Sequence, residues 1–464
     1  MRIIRLFVLV GLLGVVFCTM QCCAAEFRGA WVTSWSRGFF TKEEIDATIA
    51  DAKTAGLNAL VVEVRKIGDA VYQSDLEPMD SQVAKDFDPL AYTIEKAHAE
   101  GIRVCAWLVV YRVWNGRKAV SDPKHVLMQH PDWRSINYDG KNESSEGVYA
   151  DPGIPAYSEF FSKVCEDIVK RYAVDAIHFD YVRYPGKEWG YNDIALKRYY
   201  AETGAKQKPK MDDPKWLQWK RDQVTALVKL VHDRVEAINP KVTIQASTIP
   251  WGNCPADFKD TSAYTQVCQD WRLWMEKGLI DENCPMVYAP ESDPKGAARY
   301  RGWIEGCKRW SYGRSVYIGT SNRAPEDVLK QVEAVRKSGL PGFVLFSFNQ
   351  RGSRTTNAAV LGKGLGPVPR LSVIQIIPAN TVAARKAFDA GIALAMQNKL
   401  TEAIVELTKA TELDPGYAEA FFRVGRCYLR SKDSAKAREF FEKTLAIDPQ
   451  YAGAKTELAK LKGI

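Results

Sequence analysis

The stretch Val174-Asp175-Ala176-Ile177-His178-Phe179-Asp180-Tyr181-Val182-Arg183-Tyr184-Pro185 is a short apolar run that ends in charged and aromatic residues. Successive side chains of a strand point to opposite faces, so His178 and Asp180 share a face. Asp180 stands at the strand end, with Arg183, Tyr184 and Pro185 in the loop that follows. A carboxylate in that place can face a substrate while the imidazole behind it donates a hydrogen bond or completes the pocket.

Outward from this stretch the same design recurs. Strands are expected over residues 27–35, 57–65, 102–111, 174–181, 242–249, 284–288, 315–319 and 342–348. Most are β-branched and nearly continuous in apolar character, as parallel strands buried on both faces should be. The crossovers are long enough for helices: one opened by Thr41 with Glu44 as its capping-box acid, one over 89–100 closed by Gly101, and others over 157–171 and 216–238. A doubly wound sheet would usually carry a glycine-rich loop after its first strand, and none occurs here. The expected fold is therefore an α/β (β/α)8 barrel of the TIM type over residues 26–351, with its active site where the strands end.

Those ends supply the candidate residues. The second strand closes with Glu63-Val64-Arg65, after which Gly68 allows a turn that presents Asp69, with Tyr72 beyond it. Alternation puts Glu63 and Arg65 on one face, where Arg65 either grips a substrate hydroxyl or carboxylate by a two-pronged contact or pairs with Glu63. The third strand contains Trp107 and leads to Tyr111, Arg112 and Trp114, flat and cationic groups suited to sugar rings and their hydroxyls. Tyr288 ends the sixth strand and Glu291 follows it; Trp133, Trp251, Trp271 and Trp274 are expected in or near loops.

Glycoside hydrolysis generally needs two carboxyl groups across the scissile bond. Asp180 is the first choice and Glu291 the preferred acid, with Glu63, Asp69 and Asp270 as alternatives; the fifth strand offers no carboxylate. His178, Arg183, Tyr184 and Tyr288, with the residues named on the second and third strands, are expected to contact substrate.

Composition narrows the classes. With 46 % hydrophobic residues and thirteen Trp among 464, the chain can build a large core and still line a groove. The formal charge of +8 comes with no dense basic stripe, which argues against nucleic acid. No His-x-His, His-Glu-x-x-His or Gly-x-Ser-x-Gly pattern is present, so neither a metal or other cofactor nor a serine nucleophile is expected.

Arg2 and Arg5 precede an apolar run over 6–18, and Cys23-Ala24-Ala25 suits a signal peptidase. Residues 1–25 are read as a signal peptide, giving a periplasmic or extracellular, envelope-associated protein with no integral membrane domain after cleavage. Of the seven cysteines beyond it, Cys105 reads as a core thiol. Cys254, Cys268, Cys284 and Cys307 are close enough in sequence to form one or two bridges after export.

Residues 352–380 read as a linker. Beyond it, over 381–464, Gly391, Ala403, Lys409, Asp414, Pro415 and Tyr417 recur 34 residues later as Gly425, Ala437, Lys443, Asp448, Pro449 and Tyr451. Ala387 and Leu407 align likewise with Phe421 and Phe441. The period resembles the tetratricopeptide repeat, closed by a capping helix over 452–461, and implies a protein or peptide partner.

The large domain also resembles a known family. Phe27-Arg28-Gly29-Ala30-Trp31, Glu63-Val64-Arg65 through Gly68-Asp69-Ala70, Ala97-His98, Ala106-Trp107, His130-Pro131-Asp132-Trp133, Asp151-Pro152-Gly153, His178 to Pro185, and Pro285-Met286-Val287-Tyr288 together resemble the glycosyl hydrolase-like 10 group. The resemblance implies a barrel related to glycoside hydrolases, carbohydrate as substrate, and peptide-free cell-wall glycan as one candidate. It matches Asp180 to the family's acid after the fourth strand, and Arg65 and Asp69 to its second-strand motif. Glu63 stands where relatives often carry Gln, and one Asp precedes Tyr181 where many carry two. The expected function is a secreted glycoside hydrolase acting on a polysaccharide; the alternative is a non-catalytic glycan-binding barrel or an envelope scaffold whose repeats bind protein.

Overall fold

The computed structural model describes residues 25–116, 120–321, 324–349, 354–373, 379–447 and 451–462. Residues 1–24 of the expected leader lie outside them, as do Asp448 and Pro449. Eight parallel strands close into a barrel: β1 (Phe27–Val32), β2 (Ala59–Arg65), β3 (Arg103–Val109), β4 (Ala176–Asp180), β5 (Thr243–Thr248), β6 (Glu282–Pro285), β7 (Ser315–Ser321) and β8 (Gly342–Phe346). Seven coincide with the apolar runs expected; β6 begins two residues before its expected run of 284–288, at Glu282 and Asn283, and ends at Pro285. An antiparallel ribbon of Arg112–Trp114 against Val148–Tyr149 is added over the loops after β3.

Two buried layers follow from strand alternation. Leu60, Val62, Val104, Ala106, Leu108, Ile177 and Phe179 face the surrounding helices. Phe27, Trp31, Val61, Cys105, Trp107, Cys284, Tyr317 and Val344 fill the barrel interior. Because neighbouring strands are staggered, one register row climbs the interior: Glu282 pairs with Gln245, Gln245 with His178, His178 with Trp107, and Trp107 with Glu63. The row begins at the first residue of β6 and arrives near the end of β2, so it spirals from the barrel floor to its mouth.

Alternation fails at one place. The β2–β3 register slips between Glu63 and Arg65, so two residues of β2 oppose a single step of β3. Glu63 stays inside, while Arg65 turns outward beneath the helix Pro155–Arg171, its guanidinium 5.3 Å from the Phe161 ring. There it donates to Glu77 through Nε and Nη2, the latter at 2.7 Å, and through Nη1 to the Val109 and Val110 carbonyls. The expected shared face of Glu63 and Arg65 is thus overturned by a bulge. Arg65 ties the end of β3 to the outer layer and does not reach the mouth.

The stretch read as a linker contains a helix, Arg354–Leu365, that packs on the helix Lys42–Thr54 and on the helix Pro325–Ser338, completing the outer ring. The tail forms the helices Ala379–Met396, Leu400–Leu413, Ala418–Arg430, Ser434–Ile447 and Ala452–Lys462. A Cβ on Gly391 would come within 2.6 Å of Leu407, and one on Gly425 within 2.6 Å of Phe441. The repeated glycine is where each hairpin's two helices touch. Among the described residues no helix is long and apolar enough to cross a membrane. The seven cysteines from Cys105 onward are free thiols in the structure, so none of the bridges expected from sequence proximity is formed.

Arg65 and Glu77 are both fully buried, and removing one partner of such a pair leaves an uncompensated charge. Glu77→Ala is expected to cost about 3–5 kcal/mol of barrel stability. Denaturant unfolding followed by tryptophan emission checks this, since all thirteen Trp precede residue 311 and report only on the barrel.

Candidate active site

The polar row inside the barrel determines what reaches its mouth. At the floor Glu282 accepts hydrogen bonds from Arg103 (3.3 Å), Thr243 (3.1 Å), Tyr317 (3.0 Å) and the Gln245 amide. With its NH2 committed to Glu282, Gln245 presents its oxygen to His178 Nδ1 at 3.0 Å, so that nitrogen carries the proton. His178 Nε2 then accepts from the Trp31 indole N–H (3.1 Å) and the Ser247 hydroxyl (2.8 Å). Burial lowers the His178 pKa to about 4, only partly offset by Gln245, so the imidazole is neutral. His178 is wholly buried and fixes Trp31 and Ser247; the direct substrate contact expected of it is not what the structure provides.

Two carboxylates stand above this row. Glu63 Oε2 accepts from the Thr33 hydroxyl (2.8 Å), the Ser34 N–H (2.8 Å) and the Ser34 hydroxyl (3.1 Å), all at the end of β1. Burial raises its pKa to about 7, against the pull of these donors and of the Arg112 charge. Asp180 accepts from the Tyr181 N–H at 2.7 Å, and burial raises its pKa against the pull of Tyr181, Arg112, Arg183 and Trp107. Trp107, Glu63's register partner, lies between the two acids. Its buried indole N–H favours ionised Asp180 without closing a hydrogen bond to any group.

Arg112 acts on both carboxylates. Its guanidinium donates to the Tyr181 hydroxyl at 3.1 Å and lies 4.1 Å over that ring. Tyr181 in turn takes Arg183 at 4.9 Å, and Arg183 is held two-pronged by Glu146 at 2.9 and 3.1 Å. Trp35 lies 5.7 Å from Arg112 and Trp251 5.4 Å from Arg183, each indole 45 % exposed. Tyr288, 37 % exposed and stacked on Phe346 at 5.0 Å, closes the mouth beyond β6.

Residues 26–320 match the profile of the Glycosyl hydrolase-like 10 family, and residues 394–461 match a tetratricopeptide repeat. The chain belongs to the glycosyl hydrolase-like 10 family. It is 30 % identical over 288 residues to glycosyl hydrolase YngK of Bacillus subtilis, covering 57 % of this chain and 54 % of that protein. It is 28 % identical over 270 residues to glycosyl hydrolase DigH of Escherichia coli K12, covering 53 % and 57 %. The chain thus spans about half the length of the relatives it matches. The catalytic domain of β-amylase from Paenibacillus polymyxa superposes with a TM-score of 0.52 at 12 % identity, over 74 % of this chain and 98 % of that one, which shows the shared fold.

In this glycosyl hydrolase-like 10 barrel the other expected residues take different places. Glu291 is drawn to Arg301, with one contact at 3.2 Å, on the helix Pro294–Arg309 and does not join Glu63 and Asp180. Asp270 caps the helix Trp271–Lys277 by accepting from the Leu273 N–H at 3.2 Å. Tyr72, Tyr111 and Tyr184 are buried among helices and loops, against Tyr172, Tyr157 and Lys220. Trp133, Trp271 and Trp274 are likewise core residues, so of the four loop tryptophans only Trp251 is exposed. Asp69 accepts from the Lys66 and Ile67 N–H groups, bracing the loop after β2, and Trp114 walls the same loop cluster. Trp35, Ser34, Lys66, Tyr181 and Glu146 escaped the sequence reading, because their roles come from contacts between loops after different strands. Among the described residues no group of three or more His, Cys, Asp or Glu is placed to hold a metal.

The Glu63 pKa gives a signed expectation for stability. A carboxyl group whose folded pKa lies above its unfolded value stabilises the fold fully below the unfolded pKa, and that contribution is lost as pH rises through the folded one. From 4.5 to about 7, the loss by pH 8 is about 3 kcal/mol. Glu63→Gln should match the parent in melting temperature near pH 4 and melt above it at pH 8. Thermal unfolding across that range is the check.

Proposed function

We propose that the barrel hydrolyses glycosidic bonds of a polysaccharide, with Asp180 as the principal catalytic carboxylate and Glu63 as its partner. The observation that carries this reading is the pair of buried carboxylates at the strand ends, separated by Trp107 and both acted on by Arg112. A pKa of about 7 keeps a large fraction of Glu63 protonated at neutral pH, which suits the donor of a proton to a leaving sugar oxygen. Asp180, at the strand end, is given the role of nucleophile or base: burial raises its pKa, and a peptide N–H and two guanidinium groups oppose that by favouring the anion. Glu63 takes the role expected of Glu291, whose pairing with Arg301 outside this pair leaves it no part in the reading.

The exposed aromatic side chains around the mouth support carbohydrate as the ligand. Relatives named glycosyl hydrolase support the reaction class, and export through the 1–25 segment would bring the barrel to envelope glycan, with peptide-free cell-wall strands the first substrate to try. The repeat tail is read as a docking surface for a protein or peptide that takes no part in cleavage.

Asp180→Asn should abolish release of reducing ends while circular dichroism stays unchanged; near-parental turnover in the folded variant would leave the barrel a glycan-binding module. Parental activity should fall as pH rises through about 7, where Glu63 loses its proton. Glu63→Gln should remove that limb and damage unactivated glycans much more than aryl glycosides with good leaving groups. A chain lacking residues 375–464 should keep turnover on a short soluble glycan and lose retention of envelope proteins in a pull-down.

A further inference from the structure

The two exposed indoles at the mouth lie on opposite sides of the barrel. Trp35 follows β1 and Trp251 follows β5, and in the closed order three strands separate β1 from β5 in either direction. Between them runs an unbroken stack, Trp35–Arg112–Tyr181–Arg183–Trp251, with every guanidinium 4.1–5.7 Å from its ring centres. The stack passes both carboxylates: Ser34, the residue before Trp35 at one end, holds Glu63, and Tyr181, the middle member, holds Asp180.

Beside Trp35 the loops leave a cleft of about 430 Å³, within the range of roughly 300–1,000 Å³ typical of small-ligand sites. Trp35 and Trp114 supply aromatic surface to it, and Lys66, Asp69, Asp80 and Gln82 supply polar groups. Lys66 bridges Asp80 and the Ser34 carbonyl and stands 5.3 Å from the Trp35 ring, so the indole is held in place while nearly half of it stays open. Flat aromatic surface beside fixed donors and acceptors is what a pyranose ring requires of its host: an apolar face to cover and equatorial hydroxyls to bond.

We infer that the cleft at Trp35 and the platform at Trp251 are two sugar-binding subsites on opposite sides of the bond broken, and that the enzyme therefore cuts within glycan chains and not from an end. This rests on the hydrolase reading above and adds where the chain lies. An enzyme that trims ends needs a wall on one side of the bond broken; among the described residues, exposed aromatic surface flanks the mouth on both sides, at Trp35 and at Trp251.

The test uses the full chain with Asp180→Asn for binding and the parental chain for cleavage. The probe is peptide-free cell-wall glycan strands of defined length, labelled at the reducing end. Trp35→Ala and Trp251→Ala, each combined with Asp180→Asn, should each weaken strand binding about tenfold. Both indoles are exposed, so the variants should fold, with circular dichroism as the control. Parental cleavage should give labelled products of intermediate length at the earliest times. Unchanged binding in either Trp variant, or release of only mono- or disaccharide from one end from the first time point, would overturn the inference. Strands that bind through both indoles and are never cut would uphold the two subsites and sink the hydrolase reading; strands that do not bind at all would overturn the subsites.

Discussion

Inside the barrel a polar group without a partner is costly, and the row Glu282–Gln245–His178–Trp31 avoids that cost with each hydrogen committed to one acceptor. Arg103 and Tyr317 anchor the row at the floor, and the direction of donation then propagates upward. Gln245 has one orientation because Glu282 takes its NH2; His178 has one tautomer because Gln245 offers its oxygen. The stagger of the strands carries this row to Trp107 and Glu63, so the same geometry that closes the barrel delivers a carboxyl group to the mouth.

The bulge after Glu63 divides the charges of β2. Without it Arg65 would project inside, two positions from Glu63, and a guanidinium there would hold Glu63 ionised. With it Arg65 spends its donors on Glu77 and two carbonyls in the outer layer, and Glu63 keeps a pKa near 7. The more distant Arg112 lowers that value only in part, and it acts on Asp180 as well. The raised pKa of Glu63 thus depends on a one-residue slip in strand pairing.

That slip also marks the limit of what the sequence discloses. Strand identity was legible wherever a strand is an apolar run, because such runs have only one place to go in this fold; β6, which opens on Glu282 and Asn283, was found two residues late. Asp180 was legible because it ends one of them. The tail was legible because Gly391 and Gly425 recur with the same neighbours at the same spacing, and both prove to be the contact points of their hairpins. A bulge leaves no comparable trace in a sequence, so strict alternation put Arg65 in the mouth. The same blindness applies across loops: Glu291 follows a strand end as Asp180 closes one, and only the placement of Arg301 on the next helix draws it away. Tyr72, Tyr111 and Tyr184 look like rim aromatics by position, yet the helices and the ribbon after β3 bury them.

On the proposed reading, chemistry and stability pull Glu63 in opposite directions. Three donors from the end of β1 would suit a carboxylate, yet burial outweighs them and the proton is retained to near neutrality. Exposing the group to water would relieve the cost of its ionisation and at the same time return it to an ordinary carboxylate, with too little protonated form at neutral pH to donate. The residue that would stabilise the barrel most simply, a neutral Gln in its place, keeps the hydrogen-bond acceptor and deletes the proton donor. On the proposed reading Glu63 is kept for the proton it can give and not for the fold it sits in.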